Sequence, residues 1–448
     1  MKKIWLHPFI LLTGMLMFSA TAVSQEPPEP TQSMDAKDRL IAKGRKLFFK
    51  ETFDGNGRTC GTCHRAENNL TIDPEFIATL PDDDPLFVAE YSPELMQNFE
   101  NPKLMREFGL IMVNSDGFDN PANKFTMRSV PHVFAQNVSI NSPQGPHLGW
   151  SGDGSPGNGS LRSFATGAVI QHFTKTTLRR KGVDFRLPTA KELDALEAFM
   201  LSLGRQEDLV LPLALKSEVA LEGQDLFQNE GQCSSCHVNA GANNALSDSG
   251  PGNLNFNTGV ENLPDPPAVL SGEIYSPDDG AGTPGNGEFN TPSLVEAADT
   301  PPFFHNNSVK TIEDAIAFYN SDAFATSPGA LKVNFESLDK YQVAAIGAFL
   351  RVINTLHNIR EVNAMLNAVV NNETLAGEHP KSLARRAVFD IQDAITVLSD
   401  GALHPEAVTY LKQARVLTNK AVREPENRIV LASKAIKKMN KAKSELIE

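Results

Sequence analysis

Two five-residue strings carry most of the chemistry open to this chain: Cys60-Gly61-Thr62-Cys63-His64 and Cys233-Ser234-Ser235-Cys236-His237. Together they use all four cysteines of 448 residues. Four cysteines in an exported chain ordinarily suggest two disulfides. The C-x-x-C-H order instead meets the demands of covalent haem attachment. Two thiols add across the two vinyl groups of one porphyrin and become thioethers, and the next residue offers its imidazole to the iron. A thioredoxin-like C-x-x-C would leave both following histidines without a role. A shared four-cysteine zinc site is disfavoured in an oxidising compartment. Cys60, Cys63, Cys233 and Cys236 are therefore read as the attachment points of two c-type haems, with His64 and His237 as iron ligands.

The elements that must position these groups occur twice. Gly44-Arg45-Lys46-Leu47-Phe48 precedes the first motif and Gly223-Gln224-Asp225-Leu226-Phe227 the second, each at the end of a stretch readable as an amphipathic helix. The first copy has the longer loop to its cysteine. Downstream, Leu193, Leu196, Phe199, Met200 and Leu203 make an apolar stripe at helical spacing. Val343, Ile346, Phe349, Leu350 and Ile353 repeat it position for position. Both stripes are expected to wall haem pockets. Residues 238–292, rich in Gly, Asn, Pro and Asp, read as loops. There Asp265, Asp278 and Asp279 offer carboxylates for calcium, although solvated loop carboxylates are the ordinary meaning.

Beyond Asn354, apolar residues recur at helical spacing (Ala387, Ile391, Ala394, Ile395, Leu398), punctuated by Pro380, Gly401, Pro405 and Pro425. Three or four helices in a small bundle are expected. The lysines at the end, Lys434, Lys437, Lys438, Lys441 and Lys443, read as a solvated face. His357, His379 and His404 read as surface residues. The predicted fold is mainly α, with two cytochrome c-like haem domains at 36–208 and 209–356 and a helical extension at 357–448.

The first residues bear on the compartment. Lys2 and Lys3 precede a mostly apolar run from Ile4 to Phe18, and small residues follow at Ala20, Ala22 and Ser24. This is the pattern of a cleaved signal peptide over 1–24, followed by a flexible leader over 25–35. Neither that run nor any later one is long enough to span a membrane comfortably. The expected location is the periplasm. A formal charge of −13 and the lack of a basic stretch in the globular part argue against nucleic acid and anionic membranes. The acidity suits a small basic redox protein as electron donor or acceptor, or serves solubility alone.

Further strings carry a family resemblance. Asn290-Thr291-Pro292-Ser293-Leu294, Pro301-Pro302-Phe303-Phe304-His305-Asn306-Asn307-Ser308 and Thr311-Ile312-Glu313-Asp314-Ala315-Ile316 resemble the second domain of bacterial dihaem cytochrome c peroxidases and MauG-type enzymes. Asn306-Asn307 stands where the family usually has Asp-Gly. Gly44-Arg45 to Phe49, Pro131, Gly149-Trp150-Ser151-Gly152-Asp153 and Ser160-Leu161 resemble the first domain. The likeness spans roughly residues 36–356 and leaves the terminal helices unassigned.

The resemblance implies a reactive first haem that meets hydrogen peroxide and a second haem that stores an electron, coupled through a tryptophan at the position of Trp150. It implies a distal ligand of the second iron at Tyr319, where the peroxidases carry methionine and the MauG-type enzymes tyrosine. The plain alternative for both aromatics is a core role. At the first haem the family's distal glutamate falls among Gly167–Thr174, which hold no carboxylate. Gln171 or His172 would stand in for it, or His172 would bind the iron; His132 and His147 are further candidates. The family's bridging calcium has its asparagine near Arg128-Ser129 and another position at Thr300, and its members are often homodimers. The expected activity is reduction of peroxide to water, or peroxide-driven oxidation of a protein side chain or small molecule. A non-catalytic dihaem electron carrier and a dihaem oxygenase are the alternatives.

Overall fold

The computed structural model describes residues 35–96, 99–114, 125–140, 142, 147–152, 158–246, 252–273, 280 and 285–448. The expected signal segment, Asp153, Asp278 and Asp279 lie outside the described residues. The architecture is mainly α, and the repeat read from the sequence is a repeat in space. Helix α1 (Ala36–Lys50) starts at Asp35, whose carboxylate accepts from the Asp38 amide at 2.7 Å. Helix α2 (Leu161–His172) carries two candidate side chains at its C-terminal end. Helix α3 (Ala190–Met200) opens on a capping box between Thr189 and Glu192. In the second half, α4 (Glu218–Gln228) corresponds to α1 and the start of α6 (Lys340–Asn371) to α3, with α5 (Ile312–Ala317) between them.

Each pair crosses at a glycine. A Cβ on Gly44 would lie 1.8 Å from the Ala195 carbonyl oxygen, and a Cβ on Gly223 would lie 1.8 Å from that of Ala345. Only a residue without a side chain lets the backbones approach so closely. The phenylalanines one turn further on complete the match. Phe48 meets Phe199 at a ring separation of 5.3 Å, and Phe227 meets Phe349 at 5.3 Å. Ala195 and Phe199 stand to Gly44 and Phe48 as Ala345 and Phe349 stand to Gly223 and Phe227.

The stretch after each motif has little regular structure, as the loop-forming composition predicts. A two-stranded antiparallel ribbon, β1 (Leu110–Val113) with β2 (Thr126–Ser129), pairs Leu110 with Ser129. Two-residue strands β3 (Asn255–Phe256) and β4 (Phe289–Asn290) pair in the second half.

The terminal helices α7 (Pro380–Asp400), α8 (Pro405–Arg423) and α9 (Arg428–Leu446) pack with the second half of α6 as the expected bundle. The expected boundary at 356–357 falls inside α6, which runs through it without a break. Ile391, Leu411 and Met439 belong to the same continuous core as Phe227 and Phe349. The last residues return to the segment between the two halves: the Lys216 amide donates to the Leu446 carbonyl at 3.0 Å and the Glu448 amide to that of Ala214 at 3.0 Å. No helix among the described residues is long and apolar enough to cross a membrane.

Candidate functional site

The first motif forms one helical turn, Cys60–Cys63, held by a box in which the Thr59 amide donates to Thr62 Oγ1 at 2.9 Å. The backbone then turns, and His64 Nδ1 lies 2.9 Å from the Leu70 carbonyl oxygen. A carbonyl can only accept, so Nδ1 carries the proton and Nε2 keeps its lone pair, the tautomer a metal-binding histidine needs. The second motif repeats this. His237 Nδ1 lies 3.2 Å from the Gly241 carbonyl and 3.1 Å from that of Pro292.

Each set opens into its own largely apolar cavity. The first encloses about 1130 Å³, open mouth included, and is lined by Cys60, Cys63 and His64. The second encloses about 1370 Å³ and is lined by Cys233, Cys236 and His237. Burial pushes the thiols up, Cys60 and Cys233 to about 12 and Cys63 and Cys236 to about 11. The four cysteines are free thiols, and the two pairs face different cavities, so a shared zinc site does not form. The expected stripes wall both spaces. Leu196 and Met200 line the first, and their counterparts Ile346 and Leu350 line the second. Two thiols and an oriented imidazole at the edge of an apolar cavity fit a covalently held haem in each half.

Gln171 and His172 end α2 inside the first cavity, together with both thiols and His64. Gln171 is 4 % exposed, and its Nε2 has no hydrogen-bond partner among the described residues. His172 is driven down to about 3 by burial, reinforced by the charges of Arg58 and Arg179, so its imidazole is neutral. His132 and His147 line a neighbouring space of about 1230 Å³ that reaches His64 and Trp150 but neither cysteine. Among the described residues, no carboxylate lines the first cavity.

Arg58 was not singled out in the sequence, yet it lines this cavity at 1 % exposure. Its guanidinium donates to Glu100 at 2.9 Å and to the Leu86 carbonyl at 2.5 Å, and it lies 5.2 Å from the centre of the Phe99 ring. An arginine two residues before a cysteine looks like any surface charge. Only the fold of residues 85–100 over it reveals the burial.

Trp150 lines both cavities. The turn that presents it needs two left-handed residues, supplied by Gly149 at φ 67° and Gly152 at φ 76°. The indole Nε1 donates to the Ser129 carbonyl at 3.0 Å, and the Trp150 carbonyl accepts from the Asn290 amide at 2.8 Å. Its ring meets His305 edge-on at 6.3 Å, and the Ser129 amide donates to the His305 carbonyl at 2.7 Å. His305, stacked on Phe289 and bonded to Glu261, lines the second cavity.

Tyr319 lies in the single turn Phe318–Asn320 after α5 and lines the second cavity with both thiols and His237. Phe324 at 4.9 Å and Phe318 at 5.3 Å hold its ring edge-on. Burial, with the two cysteines beside it, pushes its phenol above the ordinary range.

The residues at the expected calcium position do not fit that ion. Arg128, 3 % exposed, donates to the Gly280 carbonyl at 3.3 Å and brings a buried guanidinium charge, which disfavours a cation beside it. The Thr300 hydroxyl is turned to the Glu296 carbonyl at 2.9 Å. Asp265 is an exposed loop carboxylate. The expected surface role of His357 is also corrected. It lies on α6, 4 % exposed, facing Glu296 at 3.6 Å and the Phe134 ring at 6.4 Å. His404 is half-buried, and His379 is exposed as expected.

No protein-family model matches this chain, and no curated protein does. Among solved structures the chain is similar to a MauG-like protein associated with microbial copper homeostasis, at 18 % identity and a TM-score of 0.39, over 75 % of this chain and 95 % of that one.

Proposed function

We propose that this chain is an exported dihaem c-type cytochrome that acts as a peroxidase or peroxide-dependent oxidase. Its first haem, at Cys60 and Cys63, is the reactive one, and its second, at Cys233 and Cys236, stores an electron. The carrying observation is that two equivalent thiol–thiol–imidazole sets open into separate apolar cavities that share one tryptophan, Trp150. Bound haem supplies one-electron chemistry and an iron able to meet peroxide.

The chain's own residues do the rest. His64 and His237 would hold the irons from Nε2, and their carbonyl partners keep each ring oriented. The open amide of Gln171 donates to a peroxide oxygen. The neutral imidazole of His172 accepts a proton from one oxygen and returns it to the other. Arg58 steadies developing negative charge. Trp150 links the two cavities, and Tyr319 would offer an oxygen to the second iron. Reduction of hydrogen peroxide to two waters takes two electrons, from a small redox protein or an oxidisable substrate, and two protons.

The test begins with mass. Protein from a host with cytochrome maturation machinery is expected to carry two haems, and Cys233→Ala with Cys236→Ala to carry one. The as-isolated oxidised protein is expected to show a high-spin component that responds to peroxide and cyanide. A polypeptide without added haem mass overturns the reading. One observation favours a second reading, a non-catalytic electron carrier: His172 faces the same cavity as His64 and is neutral, as a sixth ligand would be. An all-low-spin spectrum, silent to both reagents, would establish that carrier.

A further inference from the structure

A third cavity lies between the loop at Asn69-Leu70 and the turn at Glu296 to Asp299, and the function proposed above does not use it. It is bounded by α1, the loop after the first motif, the turn Ala297–Asp299, α6 and α7, and includes Glu296, Asp299, His357 and Asp390 in its lining. The turn touches the support of each histidine. Ser293, next to the Pro292 carbonyl that orients His237, donates its hydroxyl to Glu296 at 3.1 Å. Asn69, next to the Leu70 carbonyl that orients His64, donates its amide to the Asp299 carbonyl at 2.9 Å. Glu296 therefore reaches the neighbour of His237's carbonyl partner through its carboxylate, and Asp299 reaches the neighbour of His64's partner through its backbone carbonyl.

Opposite the turn, α6 presents Asn354, His357, Asn358 and Glu361, one helical face. Asn354 and Asn358 donate to the same Asp299 oxygen at 2.8 and 2.9 Å. His357 Nε2 lies 3.6 Å from Glu296, and burial drives it to about 3, so it brings no charge. Its Nδ1 and Glu296 Oε1 have no hydrogen-bond partner among the described residues, although Glu296 is 2 % exposed. His132 faces His357 from the loop after β2.

The cations nearby are already engaged. Arg386 of α7 and Arg45 of α1 pair with Glu378, at 2.5 and 3.3 Å. Arg360 and Arg205 pair with Glu207, at 3.1 and 3.7 Å, and Arg360 lies 3.6 Å from Glu361. Glu296 and Asp299 from the turn, and Asp390 and Asp393 from α7, have no arginine or lysine within ion-pair distance among the described residues. No grouping of three or more metal-ligating side chains forms among the described residues. Glu296 is buried, Asp299 and Asp390 line the same cavity half-buried, and Asp393 stands one turn further along α7; carboxylates grouped in this way without cations favour holding protons.

We propose that this carboxylate cluster is a proton-binding site coupled to both haems, gaining a proton when either iron is reduced and losing it on reoxidation. The inference rests on the dihaem reading. When a one-electron donor reduces an iron, the local positive charge falls by one and a carboxylate takes a proton from water. When an oxidant removes the electron, the proton returns to water. Burial supports this by raising Glu296 and Asp390 to about 7, Asp299 to about 6 and Asp393 to about 8.

The test is redox potentiometry of the haem-loaded protein from about pH 5.5 to 8.5, the span of those groups. One proton per electron would change the reduction equilibrium tenfold per pH unit. The wild type is expected to show about threefold or more per unit. Glu296→Gln and Asp393→Asn are expected to show less than half the wild-type slope, while Glu296→Asp retains it. The protonated carboxyl band in redox-difference infrared spectra is expected to shrink in both amide variants. Slopes unchanged in both variants, in protein carrying two haems, overturn the coupling and leave the dihaem reading intact. A chain without haem overturns both. Flat wild-type potentials, with millimolar calcium raising the melting temperature of wild type but not of Glu296→Gln, overturn proton binding in favour of a cation.

Discussion

At the scale of single residues, the grouping of two thiols and an imidazole at each C-x-x-C-H string was legible because the three lie within five consecutive positions. The distal groups were legible only as candidates, because a residue far along the chain enters a cavity through the fold. Gln171 and His172 share the first cavity with both thiols, whereas His132 and His147 do not. Replacing His172 by alanine is expected to keep both haems, since it touches neither thioether, and to slow the peroxide reaction by roughly 10²-fold or more. A stopped-flow trace of the reaction of oxidised protein with peroxide measures this. For Tyr319→Phe, ring packing on Phe324 and Phe318 survives while the oxygen is lost. The low-spin EPR signal of the second haem is expected to change with no loss of haem. An identical signal would leave Tyr319 as a core aromatic.

At the scale of elements, the repeat was readable as an aligned glycine, phenylalanine and apolar stripe in each half. The reason for the glycine was not readable, because close approach depends on the partner helix. A methyl group on Gly44 or Gly223 would run into a carbonyl oxygen at 1.8 Å, so the helices must separate. Gly223→Ala is expected to destabilise the second half by about 1–3 kcal/mol or more, the usual cost of overpacking. Paired thermal melts with an exposed control such as Leu331→Ala, whose residue is 88 % exposed, measure it. His357 was misread for a related reason. Asn354, His357, Asn358 and Glu361 recur at helical spacing, and such a stripe ordinarily faces water. Periodicity tells which residues share a face; it does not tell what covers that face.

At the scale of the whole molecule, the terminal helices and the second half share one core, and the last residues are stitched to the segment at Ala214–Lys216. The same helices bury the carboxylate cluster, which sets how stability depends on pH. Glu296, Asp299, Asp390 and Asp393 are all raised, to between about 6 and about 8, from ordinary values near 4. The folded chain therefore holds protons that the unfolded chain releases over this range, and stability falls as pH rises. Their contribution is fully present below the unfolded values near 4, and is lost between about pH 4 and pH 8. Glu192 works in the opposite sense: Arg186 and the Thr189 amide hold it down to about 2, so its stabilisation is lost only in strong acid. The buried neutral histidines His132, His172 and His357, driven to about 4, 3 and 3, oppose the cluster below about pH 6.5, so the cluster's destabilising effect is felt most above that pH. Asp393→Asn fixes the neutral state at the most raised member. It is expected to stabilise the protein at pH 8 by about 1–3 kcal/mol and to do little at pH 5. Denaturant melts of wild type and variant at the two pH values decide it: an equal gain at both would mean that Asp393 is ionised in the folded protein throughout.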